Sequence, residues 1–312
     1  MSAAFLGERI LHLGQAPLKP IRLSVLTPFH KHDPSAMLAF AAHAPDGVEF
    51  ILLDDGSASA TLLARLVQTA WLACAPVRIL VSARNKGRAA ARNRLIAEAQ
   101  GEYVLFLDAD MIPDRPLFFQ NWLDVIARHR PDVAFGGLSV RHAEPTSDTA
   151  LHYEIFAHSD CRPARERSQA AAQTVASANL LVRKSFLARH PFDEGFVGWG
   201  FEDVDWALGA ARYTEILHTD NPATHAGLDN VATLMRKSAE AGPNFARLAR
   251  KHPTAVSRFA AHRAARLLRH APARTQLRSA FAWLAGAPSA PMPLRRAAFK
   301  LYRASHFAEH LA

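Results

Sequence analysis

Cysteine is scarce in this chain: two thiols in 312 residues, Cys74 and Cys161, with no pairing motif between them. That argues against a disulfide framework and fits a reducing compartment. Long apolar runs are missing too. Stretches such as 70–81, interrupted by Pro76 and Arg78, fall short of the ~18 residues that a membrane span needs. Segment 1–15 has no basic stretch leading into a long apolar one, so no signal peptide is expected. The expectation is a cytoplasmic protein, soluble or peripheral on the inner face of a membrane. Internal repeats, low-complexity tracts and a glycine- and lysine-rich phosphate loop near the N-terminus are also absent. Acidic side chains all but vanish at the end of the chain. From Phe245 to Ala312 thirteen Lys/Arg stand against Glu309 alone, a balance of +12. The whole chain carries +9, which leaves −3 for residues 1–244. A near-neutral front and a strongly basic tail imply two tasks.

What remains has a globular composition, 49% hydrophobic and 21% charged. Short apolar runs at 21–27, 48–53, 77–82 and 103–107 predict buried strands. Segments 34–43, 61–72 and 87–99 between them are long enough for crossover helices. This alternation points to an α/β fold, a mostly parallel sheet with helices on both faces. Further along, 116–129 predicts a helix, 133–140 and 174–182 strands, and 201–212 and 231–250 helices. The Arg-rich, aperiodic stretch 160–173 predicts a mobile loop, with 162–167 as a lid. The resulting division is an N-terminal segment 1–20, an α/β domain 21–250 and a basic helical extension 251–312. Within the domain, 21–140 form a nucleotide-binding half and 141–250 an acceptor and catalytic half.

In such a sheet ligands bind at the carboxyl ends of the strands, and polar groups gather there. The first strand ends in Thr27-Pro28-Phe29-His30, the second in Asp54-Asp55-Gly56-Ser57 and the third leads to Arg84-Asn85-Lys86-Gly87. Ala91-Arg92-Asn93 follow on the next helix, and the fourth strand ends in Asp108-Ala109-Asp110. Ordinary polar turns explain any one of these, and the four together poorly. Two carboxylates one residue apart at a turn suit a hard divalent cation that bridges nucleotide phosphates. Later, Gly198-Trp199-Gly200-Phe201-Glu202-Asp203 precedes a helix, with acids at its positive end. His225 follows in Thr224-His225-Ala226-Gly227, with His218 as a competitor.

In this order the motifs resemble those of family 2 glycosyltransferases of the GT-A fold, over residues ~21–230. The Trp-Gly-x-Glu-Asp element is similar to that of bacterial chondroitin-type polymerases and galactosyltransferase-like enzymes. The resemblance implies that Thr27 and Pro28 flank the base, Asp55 hydrogen-bonds it and Asp54 supports that loop. It places Asn85, Lys86, Gly87, Arg92, Asp108 and Trp199 around the nucleotide-sugar. It assigns Mn2+ or Mg2+ to Asp110, His225 and Asp108, the role of base to Asp203, and Glu202 to acceptor or sugar binding. Ser177 and Asn179 are candidates for sugar contacts, with strand-edge packing equally open. The implied activity is inverting transfer from a nucleotide-sugar, a UDP-sugar by resemblance, to a hydroxyl of a glycan or lipid-linked acceptor in cell-surface polysaccharide assembly. Two rivals remain at this stage, a non-catalytic nucleotide-sugar-binding scaffold and a nucleotidyltransferase. Residues 255–312 interleave arginines with aromatic side chains, which suits an anionic membrane surface or packing on the domain. Nucleic acid is the least favoured partner, and oligomeric state is open.

Overall fold

The computed structural model describes residues 8–311, so residues 1–7 of the segment read for a signal peptide lie outside it. The main sheet has eight strands in the order β1-β4-β3-β2-β5-β9-β7-β10. These are β1 Arg9–Gly14, β2 Leu23–Phe29, β3 Val48–Asp54, β4 Pro76–Val81, β5 Tyr103–Leu107, β7 Val133–Phe135, β9 Asn179–Arg183 and β10 Ile216–His218. A small sheet joins β6 Met111–Pro113, β11 Ala223–His225 and β8 Leu138–Ser139. Strands β4, β3, β2 and β5 run parallel. Every residue of β3 and β5 is buried, as strands covered on both faces require. Helices α1 Ala60–Trp71 and α2 Arg88–Glu98 cross over from β3 to β4 and from β4 to β5. The four carboxyl ends therefore share one edge.

Several elements differ from the sequence expectations. Arg9–Gly14, within the segment set apart as N-terminal, is an edge strand antiparallel to β4. The expected strand 133–140 breaks into β7 and β8 at Gly136-Gly137. Gly137 has φ +89°, and a Cβ on Gly136 would come 2.4 Å from the Asn179 amide. Strand β9 starts only at Asn179, five residues after the expected start. The expected helix 231–250 is two, α6 Val231–Glu240 and α7 Gly242–Lys251, because Pro243 opens the second and cannot continue the first. Earlier longer helices include α3 Phe118–His129, α4 Ala150–Ser159, which the sequence reading leaves unassigned, and α5 Glu202–Ala210.

The stretch 160–173 is not a free loop. Ala164–Arg167 is helical and Ser168–Thr174 continues as 3-10 turn. Arg167 is buried, donating to the carbonyls of Arg162 and Thr219, both at 2.8 Å. Its guanidinium covers the Phe135 ring at 4.9 Å. A charge removed from water persists only with such partners, and they pin the segment read as a lid.

The basic tail folds into α8 Ala260–Arg269, α9 Arg274–Gly286 and α10 Met292–His310. Helix α10 lies against α4, α6, α7, α8 and α9. Phe307 and Ala308 close a core with Phe196, Phe245, Leu248 and Val256, and Phe299 joins Leu151 and Leu234 in another. Packing on the domain therefore accounts for part of the apolar face of the tail. Among the described residues no helix is long and apolar enough to cross a membrane.

Candidate active site

The carboxyl ends of β2 to β5 open into a cleft of about 740 Å³, within the range of small-molecule sites. Pro28, Asp55, Asn85, Lys86, Gly87, Arg92, Asp108, Asp110 and Trp199 line it, as expected from their strand ends and loops. Thr27, Asp54, Glu202, Asp203 and His225 do not. Thr27 is buried and donates its hydroxyl to the Leu107 carbonyl at 2.8 Å, tying β2 to β5. Asp54 accepts the Ser57 amide at 2.7 Å and shapes the turn beneath Asp55.

Both oxygens of Asp55 are engaged. Oδ1 accepts the Lys86 amide and Oδ2 the Gly87 amide, each at 2.9 Å. Asp55 thus holds the 85–87 loop closed, and burial raises its pKa despite these bonds. Gly87, at φ +90°, then starts α2.

Strand β6 leaves the Asp108-Ala109-Asp110 turn and pairs antiparallel with β11, with Met111 opposite His225. That register sets His225 Nε2 3.3 Å from Asp110 Oδ2. The Ala226 amide donates to the Asp110 carbonyl at 2.9 Å. A Cβ on Gly227 would come 2.3 Å from Asp110 Oδ2, so only glycine lets the chain pass so close. Phe156 stacks on the imidazole at 4.8 Å, and the Nδ1 of His225 is buried without a partner. Burial opposes ionisation of Asp110, but the hydrogen bond and charge of His225 hold its carboxyl down at about 2. His225 is raised in turn, Asp110 outweighing its desolvation. His218 drops out as a ligand. Its Nδ1 accepts from the Arg167 guanidinium at 3.0 Å, its Nε2 donates to the Ala171 carbonyl at 3.1 Å, and it falls to about 4 through burial and that positive neighbour.

Asp108 does not complete a triad. Its Oδ1 accepts Arg92 Nη2 at 3.1 Å, and Arg92 Nη1 reaches Glu202 Oε1 at 3.0 Å. Among the described residues no group of three His, Cys, Asp or Glu could hold a metal ion. Arg92 is fully buried beside the Phe192 ring, 5.7 Å from its centre. It works as a bridge from the Asp108 turn to the start of α5. Glu202 is buried by that bridge and held below the usual carboxylate range, Arg92 and Arg88 outweighing its desolvation. Asp203, next in the chain, is half-buried. Burial and the adjacent Glu202 charge push its carboxyl up to about 6, against the pull of Arg92. The two carboxylates are thus driven apart in acidity, which is how neighbouring acids take different roles.

Asn179 proves structural: buried, it donates to the carbonyls of Gly137 at 2.8 Å and Asn221 at 2.9 Å. Ser177 is buried as well. Other cleft residues escape the sequence reading. Lys31 and His32 follow the strand end Thr27-Pro28-Phe29-His30, and Arg88 lies one helical turn before Arg92. Helix α6 supplies the facing wall through Thr233, Arg236, Lys237 and Glu240. Their three- and four-residue spacing marks one polar helix face, a signal that a charged surface helix also gives. Lys237 donates to Asp229 Oδ2 at 2.5 Å and lies 6.0 Å from the centre of the Trp199 ring.

Residues 35–188 match the family model described as glycosyl transferase family 2. No curated protein matches the chain. Among solved structures, a mannosyltransferase from Pyrobaculum calidifontis in complex with GDP-Man and Mn2+ is similar at TM-score 0.59 and 16% identity, over 96% of this chain and 90% of that one. S. aureus TarS 1–349 in complex with UDP is similar at TM-score 0.51 and 16% identity, over 91% and 89% of the two chains. The same S. aureus protein in complex with UDP-GlcNAc gives TM-score 0.50 at 14% identity, over 91% and 92%. The shared fold is the α/β architecture of GT-A glycosyltransferases.

Proposed function

Residues 35–188 being a glycosyl transferase family 2 domain, we propose that this glycosyltransferase moves a sugar from a UDP-sugar, with inversion, onto a hydroxyl of a glycan or lipid-linked acceptor. The observation that carries this reading is the Asp110–His225 pair, brought together by β6 and β11, with Asp110 in the wall of the cleft. One carboxylate oxygen and one imidazole nitrogen are a donor set that Mn2+ or Mg2+ accepts. Asp110 and His225 would hold such an ion, which would supply positive charge against the departing diphosphate. Lys86, Gly87 and Arg88 line the same cleft, and in this reading they receive the nucleotide. Asp203 takes the proton of the acceptor hydroxyl as that oxygen attacks the anomeric carbon opposite the diphosphate. An α-linked donor then gives a β-linked product. Arg92 keeps Glu202 ionised beside it, and the Glu202 charge raises the proton affinity of Asp203.

A panel of UDP- and GDP-sugars with Mn2+, Mg2+ or EDTA tests the reading. Metal-dependent release of one nucleoside diphosphate is the expected result. Donor binding without release or transfer from any sugar favours a binding scaffold instead.

We further infer that the tail meets an anionic membrane, which suits a lipid-linked acceptor and assembly of a cell-surface polysaccharide. A 280 Å³ hollow beside α8 is lined by His262, Arg266, Arg269, His270 and Leu311, with no carboxylate among them. Leu267 next to it is 79% exposed, and Trp283 on α9 is 74% exposed. Each basic side chain near an anionic surface contributes about 1 kcal/mol. Reversing two, in Arg266→Glu/Arg269→Glu, is therefore expected to lower flotation with phosphatidylglycerol vesicles by about ten-fold or more. Equal flotation of wild type and variant, or none of the wild type, sinks this idea. Charge reversal is preferable to deleting 255–312, because Phe307 belongs to the core.

A further inference from the structure

The loop before Glu202-Asp203 is wound the wrong way for most residues. Gly198, Gly200 and Phe201 all have positive φ, +79°, +89° and +75°. Space does not demand the glycines. A Cβ on Gly198 would meet nothing within 4 Å, and one on Gly200 only Ala241 at 3.9 Å. The backbone conformation demands them, and Phe201 adopts it with a full side chain, at a conformational cost that something else must offset.

Two devices outside the loop hold it. Asn244, buried on α7, donates its amide nitrogen to three loop carbonyls, those of Val197 at 3.0 Å, Trp199 at 3.3 Å and Gly200 at 3.0 Å. With three carbonyls facing it, only the NH2 end of the amide fits there. The Phe201 ring is seated between Phe245 at 5.3 Å and Phe307 at 5.6 Å, with the Arg303 guanidinium 5.6 Å from its centre. Phe307 and Arg303 belong to α10, so the basic tail reaches the loop directly. The loop in turn carries Val197, Gly198 and Trp199 into the cleft wall and delivers Glu202 and Asp203 at its far end.

We propose that Asn244, with the Phe201 seat formed by α7 and α10, is a positioning element that holds the acceptor end of the site in its working geometry. This rests on the proposed role of Asp203. The C-terminal helices are then part of the catalytic apparatus and not an appended module. Loss of the clamp lets the loop relax, moving Trp199 and the start of α5 while leaving the nucleotide loops at 55–57 and 85–87 intact.

The test uses the full chain, a donor that the wild type turns over, and three variants. Asn244→Ala is expected to lower kcat by about ten-fold or more with the UDP affinity within about two-fold of wild type. Asn244→Asp, of the same shape but with oxygens facing the carbonyls, is expected to fall at least as far, which space-filling alone does not predict. Phe201→Gly keeps the backbone conformation but empties the ring seat, and it reads the same split if an Asn244 variant fails to fold. The acid limb of the pH profile is expected to shift in the folded variants as the setting of Asp203 loosens. Unchanged kcat in any folded variant overturns the proposal, as does a loss of UDP affinity equal to the loss of kcat. A wild type inactive with every donor refutes the proposed function instead, so the two failures are distinct.

Discussion

Asp203→Asn is expected to cut kcat by about 10²–10⁴-fold, the usual contribution of a positioned general base, with nucleotide affinity retained. The wild-type kcat/KM is expected to rise with pH through about 6, where the Asp203 carboxyl titrates. That limb is expected to vanish in the variant. Stability moves the other way. The folded-state pKa of Asp203 is raised from 3.8, so the native protein binds more protons than the unfolded chain between those values. Asp203 therefore costs stability as pH climbs from about 4 to 6, and the whole cost is present above that range. An amide removes the charge buried beside Glu202, so the variant is expected to melt no lower than wild type at pH 8 while turning over far more slowly. Retained turnover, or an unchanged acid limb, removes Asp203 as the base.

Arg92→Met is expected to lower stability by about 3–5 kcal/mol, the range for breaking a buried ion pair from one side. The Arg92 side chain is 1% exposed and that of Glu202 4%, and the second cation beside Glu202, Arg88, stands off at 3.6 Å. Removing the guanidinium strands the Glu202 carboxylate in the interior and frees Asp108 from its tie to α5. Methionine fills much of the volume, so the loss reports charge more than cavity. Adding Glu202→Gln is expected to recover part of it, since the stranded charge is then gone. Denaturant unfolding of wild type, single and double variants gives the cycle. A single-variant loss under about 1 kcal/mol, the level of an exposed ion pair, contradicts the bridging role.

Much of the nucleotide half is legible without coordinates. The strand expected at 103–107 is β5 Tyr103–Leu107, and those at 48–53 and 77–82 lie within a residue of β3 and β4. β3 and β5 are buried along their whole length and β4 in part, so all three read as mostly apolar runs, and the loops at their carboxyl ends line the cleft. The chain beyond β5 is less legible. Strands β6, β8, β10 and β11 have three residues or fewer, too short for any periodicity. Arg167 looks like a solvated loop charge until its partners, the carbonyls of Arg162 and Thr219, are in place. The tail carries charge and aromatic residues in a pattern that fits a membrane or a neighbouring helix, and only the position of Phe307 beside Phe201 and Phe245 separates part of that pattern out as core.

The sequence by itself determined that four strand ends present Pro28, Asp55, Lys86 and the Asp108-Ala109-Asp110 pair to one edge, because a run of parallel strands linked by crossover helices leaves no other arrangement. Tertiary structure alone decided which of those acids works with what. His225 meets Asp110 only through the antiparallel register of β6 and β11. Asp108 is drawn away to Arg92, which spans 110 residues to Glu202. Asp203 owes its raised proton affinity to its burial and to the neighbouring Glu202 charge. Contacts between residues so far apart in the chain depend on how separate elements dock. A charge acquires its role from the dielectric and the partners it finds there, and neither is written in local spacing.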